Sequence, residues 1–345
     1  MILVTGAAGF IGYHVCEALL ARGELVVGLD NLNPYYDPAL KAARLERLER
    51  HPAFQFIRAD IADRDAVEGL FSDFPIDRVI HLAAQPGVRH SIHHPHDYCS
   101  ANLQGFLNVL EGCRSKKVAH LVYASSSSVY GLNDAPYSVK DPVDHPLSLY
   151  AATKKANELM AHSYSHLYAI PCTGLRFFTV YGPWGRPDMA AWIFAESLLE
   201  DRPIRLFNHG AMERDFTHID DVVDGLVKTL DLPPAPDPFW SPEEGGLASS
   251  NAPWRILNLG HHRPVRLRHV LSLLECALDR QARVEMAPLQ DGDVVRTCAD
   301  IEETTRILGW RPRVSLEVGF AGFAAWLQDW RSIREKTLNK VATKV

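Results

Sequence analysis

The sequence is poor in cysteine, has no long apolar run and carries no excess of positive charge. Six cysteines are scattered through 345 residues, without a Cys-x-x-Cys pair or metal-ligand spacing, which favours reduced thiols in the cytoplasm. No run of eighteen apolar residues exists, so no membrane-spanning helix is predicted. Because residue 2 already belongs to an apolar strand, we expect no signal peptide. The net charge of −6 argues against a nucleic-acid or lipid-surface partner.

The composition is that of a globular protein, with 47% apolar and 23% charged residues. Its length suits one large or two modest domains. In the first half, apolar strands alternate with helical stretches, and the strands are predicted at MILVTG, LVVGLD, FQFIRADI, RVIHLAA and HLVYASS. This pattern indicates an α/β fold with a doubly wound parallel sheet, whose ligands bind at the carboxyl ends of the strands.

The second half has a looser pattern. After about residue 178, PDMAAWIFAESLLED predicts a helix, and PIRLFNHG and RILNLG predict short strands. Residues 232–253 are rich in Pro, Gly, Ser and Glu and predict a surface loop. The polar tail, 336–345, is expected to fray.

A glycine motif lies between the first strand and the first helix. Gly6, Gly9 and Gly12 have the spacing GxxGxxG rather than the GxGxxG of the usual dinucleotide fingerprint. Glycines here allow a tight turn and let a pyrophosphate approach the free N–H groups at the helix N-terminus. Three glycines alone could form an ordinary turn, so a dinucleotide site needs support from residues further along the chain.

Acidic residues end the next two strands. Asp30 lies eighteen residues beyond Gly12, where a carboxylate can accept hydrogen bonds from an adenosine ribose and repel a 2′-phosphate. The sequence therefore favours NAD over NADP. Asp60 and Ile61 come after the third strand, where a carboxylate can meet the adenine amino group.

A tyrosine and a lysine are spaced for one face of a helix. Tyr150 and Lys154 are four residues apart in LYAATKKANELMAHSY. A nearby ammonium would favour the phenolate and lower the pKa of Tyr150. Such pairs occur by chance on many helices, and the four serines of YASSSSVYG could be a simple turn. Their place at the end of a predicted strand is, however, where this fold presents its chemistry.

Taken together in order, the motifs resemble the extended short-chain dehydrogenase/reductases, specifically the nucleotide-sugar epimerases. They are TGxxGFIG, LAAQ, SSSSVYG, YxxxK, GLRFFTVYGPWGRPDM and RDFTHIDDVVDG, and the resemblance covers roughly residues 1–310. It implies NAD that is reduced and reoxidised in each turnover, and catalysis by Ser126, Tyr150 and Lys154. The cofactor residues that it implies are Gly6, Gly9, Phe10, Ile11, Gly12, Asp30, Asn31, Asp60, Ile61, Leu82, Ala83, Ala84, Gln85, Ser125, Tyr150 and Lys154.

The resemblance also implies a division of the chain. Residues 1–178 are expected to form the NAD-binding Rossmann domain, with a segment near 216–262 returning to it. Residues 179–215 and 263–335 are expected to form a smaller α/β domain for the nucleotide sugar. Related enzymes pair the helices around 99–114 and 150–168 across a two-fold axis, which predicts a homodimer.

The two residues that follow the expected catalytic serine help to decide which reaction of this family the chain catalyses. Related dehydratases carry Asp-Glu there, and related decarboxylases carry Glu, whereas this chain has Ser127 and Ser128. Neither hydroxyl titrates usefully near neutrality, so simple return of the hydride to a 4-keto sugar is favoured. The sequence thus predicts an isomerase. A UDP-glucose 4-epimerase and a UDP-glucuronate decarboxylase stay as alternatives.

Several segments resemble UDP-glucuronate 4-epimerases more than UDP-glucose 4-epimerases. They include LDNLNPYYDPALKAARLERL, GPWGRPDMA, FNHGAMERDFTHIDD and APWRILNLG. Ser126, Ser127, Ser128 and Thr179 supply hydroxyl donors, which suit a carboxylate.

The remaining substrate contacts are carried by charged residues. The motif match puts Arg214 at the phosphates and Asp293 at the uridine ribose. Arg89 and Arg186 could approach the sugar or its carboxylate, or could form surface salt bridges instead.

The histidines of HSIHHPH are candidate ligands for a metal ion. His90, His93, His94 and His96 are close in sequence, but Pro95 interrupts any helix and no acid-bearing pattern is evident. The sequence therefore predicts no metal site. We expect Asn102 to brace the active site rather than to react.

Overall fold

The computed structural model describes residues 1–241, 246–290 and 292–342. Its strands are β1 (Ile2–Thr5), β2 (Val26–Asp30), β3 (Phe54–Arg58), β4 (Arg78–His81), β5 (His120–Ser126), β6 (Cys172–Phe177), β7 (Thr179–Tyr181), β8 (Ile204–Leu206), β9 (Glu213–His218), β10 (Trp254–Leu259), β11 (Pro264–Arg266) and β12 (Val284–Met286).

The α-helices alternate with these strands through the first half of the chain. They are α1 (Phe10–Ala21), α2 (Pro38–Leu48), α3 (Arg64–Asp73), α4 (His90–His93), α5 (Pro95–Tyr98), α6 (Gly105–Lys116), α7 (Leu149–Tyr168), α8 (Ala190–Leu199), α9 (Ile219–Asp231), α10 (Leu267–Leu278), α11 (Glu302–Leu308) and α12 (Leu316–Ala342). A π-helical turn, Cys99–Gln104, leads into α6.

Seven strands form a parallel sheet in the order β10-β6-β5-β4-β1-β2-β3. Strands β1, β2 and β6 are buried along their whole length, because apolar clusters cover both faces of the sheet. The strand order reverses between β1 and β4, and in doubly wound sheets ligands bind outside the carboxyl ends at this switch point. The predicted fold class is confirmed.

A smaller region lies over those carboxyl ends. Strands β7, β9 and β11 form one short sheet, and β8 pairs in parallel with β12. Helices α8, α10 and α12 contribute an apolar core that includes Trp192, Leu274, Phe323 and Leu327. This region supplies the second wall of a large cavity. The predicted domain boundaries stay a prediction.

Several details differ from the sequence-based expectation. Strand β6 lies within a stretch that the sequence identifies only as a motif. The tail expected to fray from residue 336 is helical, because α12 continues to Ala342, and residues 343–345 lie outside the described chain. Of the loop at 232–253, residues 242–245 are also outside it, and Ser249 forms an isolated bridge with Arg255. In the described chain, no helix has the length and apolarity needed to cross a membrane.

Candidate active site

Every residue that the sequence predicts for cofactor or substrate lines one cavity of about 1050 Å³. The cavity lies along the carboxyl ends of β1, β2, β4 and β5 and is closed on its other side by residues from β7, β9 and the segment before α8. Its size and its many convergent polar groups are typical of a ligand site.

The glycine turn leaves little space between β1 and α1. Gly6 has a φ of +73°, and a Cβ on Gly12 would lie 2.0 Å from the Gly6 carbonyl oxygen, so neither position tolerates a side chain. Helix α1 begins after Gly9, has no side-chain cap and has no acidic residue in its first turn. Its N-terminus is therefore suited to an anion.

Asp30 lies beside this turn in a network of three donors. Its carboxylate accepts hydrogen bonds from the Ala8 N–H at 3.2 Å and the Leu32 N–H at 2.8 Å, and the Lys41 Nζ lies 3.3 Å away. Asp30 and Lys41 are both buried, and both line the cavity. Asp30 is evident from the sequence pattern, whereas Lys41 is not, because its position depends on how α2 packs.

Asp60 and Asn31 form the next wall of the cavity. The Asn31 side-chain amide donates to Asp60 at 2.9 Å, and the Ala62 N–H donates to the other carboxylate oxygen at 2.8 Å. Asp60 is thus held at the end of β3, where the sequence places it.

Asn102 braces the segment after β4, as expected. It accepts the Gln85 N–H at 2.8 Å, and its amide lies 3.2 Å from the Gln85 carbonyl and 3.0 Å from the Thr153 hydroxyl. Asn157 donates to the Asn102 carbonyl at 2.6 Å. These buried bonds join the cavity wall at Gln85 to helix α7, on which Tyr150 and Lys154 lie.

Tyr150 and Lys154 enter the cavity from the first turns of α7, which Ser148 caps by accepting the Ala151 N–H at 3.2 Å. The expectation that Lys154 lowers the pKa of Tyr150 is wrong in this structure. Burial raises the pKa of the Tyr150 phenol, and the opposing contributions come from the Ser126 hydroxyl and the Arg186 charge. Lys154 donates to the Ala124 carbonyl at 2.9 Å, and burial lowers the pKa of its amine to about 8.

The serines lie at the end of β5, where the strand turns into a short 3₁₀ helix. Ser126 caps this helix by accepting the Ser128 N–H at 3.1 Å. Ser127, Ser128 and Thr179, which begins β7, line the same cavity. The four predicted hydroxyls thus line the same cavity as Tyr150, and the Ser126 hydroxyl is close enough to hydrogen-bond to the Tyr150 phenol.

Ser125 makes a contact that sequence reasoning missed. Its hydroxyl donates to Glu158 at 2.6 Å, and Arg176 donates twice to the same carboxylate at 2.8 and 2.9 Å. The Arg176 guanidinium also lies over the Tyr130 ring, 4.8 Å from its centroid. Glu158 is eight residues beyond Tyr150 on α7, so this buried ion pair connects the helix that carries Tyr150 and Lys154 to β5 and β6.

Arg186 is paired within the cavity. Its guanidinium makes two hydrogen bonds to Asp188, at 2.6 and 3.0 Å, and Tyr35 donates to the same carboxylate at 3.2 Å. Burial lowers the pKa of Arg186, but the charge of Asp188 outweighs it, so the group stays cationic. Asp188 and Tyr35 are further cavity residues that the sequence analysis missed, since they are 153 positions apart.

Arg214, Arg89 and Asp293 lie at the other end of the cavity. Arg214 donates to the backbone carbonyls of Glu213 and Val295, at 2.9 and 3.2 Å. Arg89 forms an ion pair of 2.8 Å with Asp293 and has a side chain that is 51% exposed. The surface salt bridge considered for Arg89 is therefore present, although its partner is another predicted substrate residue.

The histidine segment differs from expectation in one respect. His90 lies near His94, and Asp97 accompanies them, although the sequence analysis found no acidic partner. His90 and Asp97 also line the cavity.

These groups fit a dinucleotide that crosses the switch point of the sheet. The uncapped N-terminus of α1 can bind a pyrophosphate. The Asp30 carboxylate can bind the hydroxyls of a ribose, and the Asp60 carboxylate can bind the amino group of a base. Beyond them, a phenol and a serine hydroxyl lie close together and a buried amine lines the same cavity, which suits proton transfer to and from a hydroxyl. Arg186 and Arg89 are paired with carboxylates, whereas Arg214 donates to two backbone carbonyls, so Arg214 is the arginine best suited to an anionic substrate.

Comparison with known proteins agrees with a site for a dinucleotide and a nucleotide sugar. Residues 2–239 match the model of the NAD dependent epimerase/dehydratase family. The chain is 45% identical to a probable UDP-glucuronate 4-epimerase of Rhizobium meliloti (strain 1021), over 95% of this chain and 97% of that one. It is 47% identical to UDP-glucuronate 4-epimerase 3 of Arabidopsis thaliana, over 94% of this chain and 76% of that one.

A solved structure shows the same architecture. The UDP-glucuronic acid 4-epimerase of Bacillus cereus, in complex with UDP-glucuronic acid and NAD, superposes with a TM-score of 0.85. The two sequences are 35% identical, and the match covers 95% of this chain and 99% of that one.

Proposed function

This chain belongs to the NAD-dependent epimerase/dehydratase family, and from that premise we propose that it catalyses the 4-epimerisation of UDP-glucuronate to UDP-galacturonate. A transient 4-keto sugar lies between the two. One observation carries the proposal: Tyr150 lines one cavity with four hydroxyls and Arg186, with Ser126 and Arg186 close enough to affect its pKa, while residues 125–128 contain no carboxylate. This favours epimerisation over elimination, for which an acid and a base are needed.

The cofactor supplies the acceptor and donor for the hydrogen at C4. Around it, Tyr150 takes the proton of the C4 hydroxyl, and Ser126 donates a hydrogen bond to the same sugar oxygen. Lys154 is held against the Ala124 carbonyl, one helical turn from Tyr150, and orients the ribose next to the reacting carbon. Because burial alone would keep Tyr150 protonated, the lowering effects of Ser126 and Arg186 on its pKa assist proton removal.

Inversion requires the sugar to turn while the nucleotide stays fixed. Arg214 is assigned to the diphosphate and Asp293 to the uridine ribose, with Arg89 beside Asp293. Ser127, Ser128 and Thr179 donate to the sugar carboxylate, with Arg186 nearby. These donors hold the carboxylate away from the alignment in which a β-keto acid loses carbon dioxide.

The direct test is product analysis. Tag-free protein is incubated with UDP-glucuronate, and proton NMR reports the configuration at C4 while a coupled assay reports carbon dioxide. We expect UDP-galacturonate, no net NADH and almost no carbon dioxide. A pentose product with stoichiometric carbon dioxide would instead indicate a decarboxylase, and equal turnover of UDP-glucose would indicate a glucose epimerase.

The matched control variant is Tyr150→Phe, which removes only the phenolic oxygen. It should keep the fold and the bound NAD but lose about 10²–10⁴-fold in turnover, the usual contribution of a positioned acid or base. Near-normal turnover in this variant would remove Tyr150 from the mechanism.

We also propose that the protein acts as a homodimer through α6 and α7. In one protomer, the α7 side chains of Leu159, Leu167 and Tyr168 are 59%, 67% and 47% exposed. Large apolar side chains on one helix are typical of an interaction surface.

A further inference from the structure

Two histidines lie on one turn of backbone beside the cavity. The His94 N–H donates to the His90 carbonyl at 3.0 Å, which completes a helical turn before Pro95 begins the next short helix. The two rings stack with centroids 4.1 Å apart and planes 15° apart. Helix α4 ends at His93 and α5 begins at Pro95, so the helix is interrupted where the sequence predicts, but both histidines lie before Pro95.

An acidic residue completes the cluster. The Asp97 carboxylate lies 4.0 Å from the His90 Nε2, and the ligand atoms of His90, His94 and Asp97 all lie within 4.8 Å of one another. Two of the three side chains, His94 and Asp97, are exposed, which leaves them room to rotate. Because the two rings are stacked, His94 has to turn out of the stack before both imidazole nitrogens face one ion. Asp97 lies beyond the break between α4 and α5, so the fold of this segment, and not helical spacing, brings its carboxylate near the two rings.

The donor set is specific for one class of ion. Zinc is commonly bound by three protein ligands with water in the fourth position, with Zn–N of about 2.0–2.1 Å and Zn–O of about 2.0–2.2 Å. Imidazole nitrogens favour zinc, nickel and copper over magnesium and calcium, which prefer oxygen. Two imidazoles and one carboxylate therefore select a borderline transition ion.

We propose that His90, His94 and Asp97 bind one divalent transition-metal ion of the zinc class, with water completing its coordination. The proposed site borders the cavity. His90 and Asp97 line the cavity, and the His90 ring packs edge-on against Tyr35, with centroids 4.9 Å apart. A bound ion would thus lie next to the tyrosine that donates to Asp188.

The same segment supplies its own controls. His93 and His96 are exposed histidines within three residues of the cluster, but they are not part of it. Replacing either one removes an imidazole of the same kind without changing the proposed ligand set. His94→Ala and Asp97→Asn are the corresponding test variants, and both positions are exposed, so the fold should not depend on them.

The test is isothermal titration of tag-free protein with zinc chloride in a buffer that does not chelate metals. We expect one ion per chain with micromolar affinity. His94→Ala and Asp97→Asn should each weaken binding by about tenfold or more, since even a residue behind a ligand typically contributes that much. His93→Ala and His96→Ala should bind zinc as the parent protein does. Cobalt added in place of zinc should give visible absorption that depends on the same residues.

Three results would overturn the site: no saturable binding at millimolar zinc, unchanged binding in His94→Ala, or equal losses in the His93→Ala and His96→Ala controls. Circular dichroism of each variant checks that its fold is intact. Because the experiment measures metal binding directly, its result does not depend on whether the protein is an epimerase.

Discussion

At the scale of single residues, Asp30 and Lys41 show how cofactor choice depends on a pair of charges. The Lys41 ammonium is 3.3 Å from the Asp30 carboxylate, and both are buried at the end of β2. The carboxylate repels a 2′-phosphate, whereas the ammonium would attract one. The Asp30 carboxylate therefore prevents the Lys41 ammonium from binding the 2′-phosphate of NADP.

We predict that Asp30→Asn shifts preference toward NADP. The amide keeps the shape of the side chain but removes the negative charge, which leaves the Lys41 ammonium free to pair with a 2′-phosphate. The ratio of NADPH to NADH affinity should rise by about tenfold or more, corresponding to ~1.4 kcal/mol. Fluorescence titration with each reduced cofactor measures this ratio.

A double variant tests the contribution of Lys41 to NADPH binding. Adding Lys41→Met to Asp30→Asn should weaken NADPH binding again while changing NADH binding little. If NADPH affinity stays high without the ammonium, Lys41 has no role in the preference.

Thr179 provides a residue-scale test of how decarboxylation is restrained. Each hydrogen bond to a charged group contributes roughly 1.5–3 kcal/mol, so losing one donor should loosen the sugar carboxylate. Thr179→Val keeps the volume and removes the hydroxyl, and it should raise the fraction of UDP-4-keto-pentose and carbon dioxide among the products. Thr179→Ser, which keeps the hydroxyl, is the control and should behave like the parent. Slower epimerisation without extra carbon dioxide would place the restraint elsewhere.

What could be predicted at this scale depends on how local each contact is. Gly6, Asp30, Tyr150 and Lys154 belong to short local motifs, which become specific when the motifs are taken together in their order along the chain. The pairing of Tyr35 with Asp188 spans 153 positions, and no short motif encodes it. The pKa of Tyr150 was predicted in the wrong direction because burial, which only the folded chain reveals, outweighs the neighbouring charges.

At the scale of elements, α7 is fixed to the sheet by a buried ion pair. Glu158 accepts from Arg176 on β6 and from Ser125 on β5, and the charged side chains are each 2% exposed. Breaking a buried pair leaves an uncompensated charge. The same helix carries Tyr150 and Lys154, so this contact joins the helix that bears them to β5, which ends at Ser126.

We predict that Glu158→Gln lowers the free energy of unfolding by about 3–5 kcal/mol, the usual cost of leaving a buried charge unpaired. Urea denaturation of the holoenzyme measures it. The control is Glu46→Gln, which breaks the exposed pair with Arg50 and should cost about 0.3–0.5 kcal/mol. Equal decreases in the free energy of unfolding for the two variants would show that the buried ion pair stabilises the fold no more than the exposed one.

The elements themselves were predictable to different degrees. The strands of the first half are apolar runs bounded by glycine and polar residues, and five of them appear where the sequence places them. The pairings of β7 with β9 and of β8 with β12 join short strands with few apolar residues, so periodicity gives little signal. The helical tail was missed because its polar composition resembles a solvated end.

At the scale of the whole molecule, the two regions enclose the cavity from opposite sides, while α7 connects the catalytic groups to the outer surface. The inward face of α7 carries Tyr150, Lys154 and Glu158, and its outward face exposes Leu159 at 59%. A second copy of the chain would cover that apolar face and hold the helix from outside. Assembly would then support the same helix that positions the catalytic pair.

We therefore predict that light scattering at micromolar concentration gives about twice the chain mass of 38.6 kDa. Leu159→Glu should convert the protein to a monomer, because a carboxylate on each protomer would be buried without a partner at the interface. Leu132→Glu is the matched control, since Leu132 is 70% exposed but lies outside α6 and α7. It should leave the mass unchanged. A monomeric parent protein, or a dimer that survives Leu159→Glu, would mean that α7 does not form the interface and that its position depends on the buried ion pair alone.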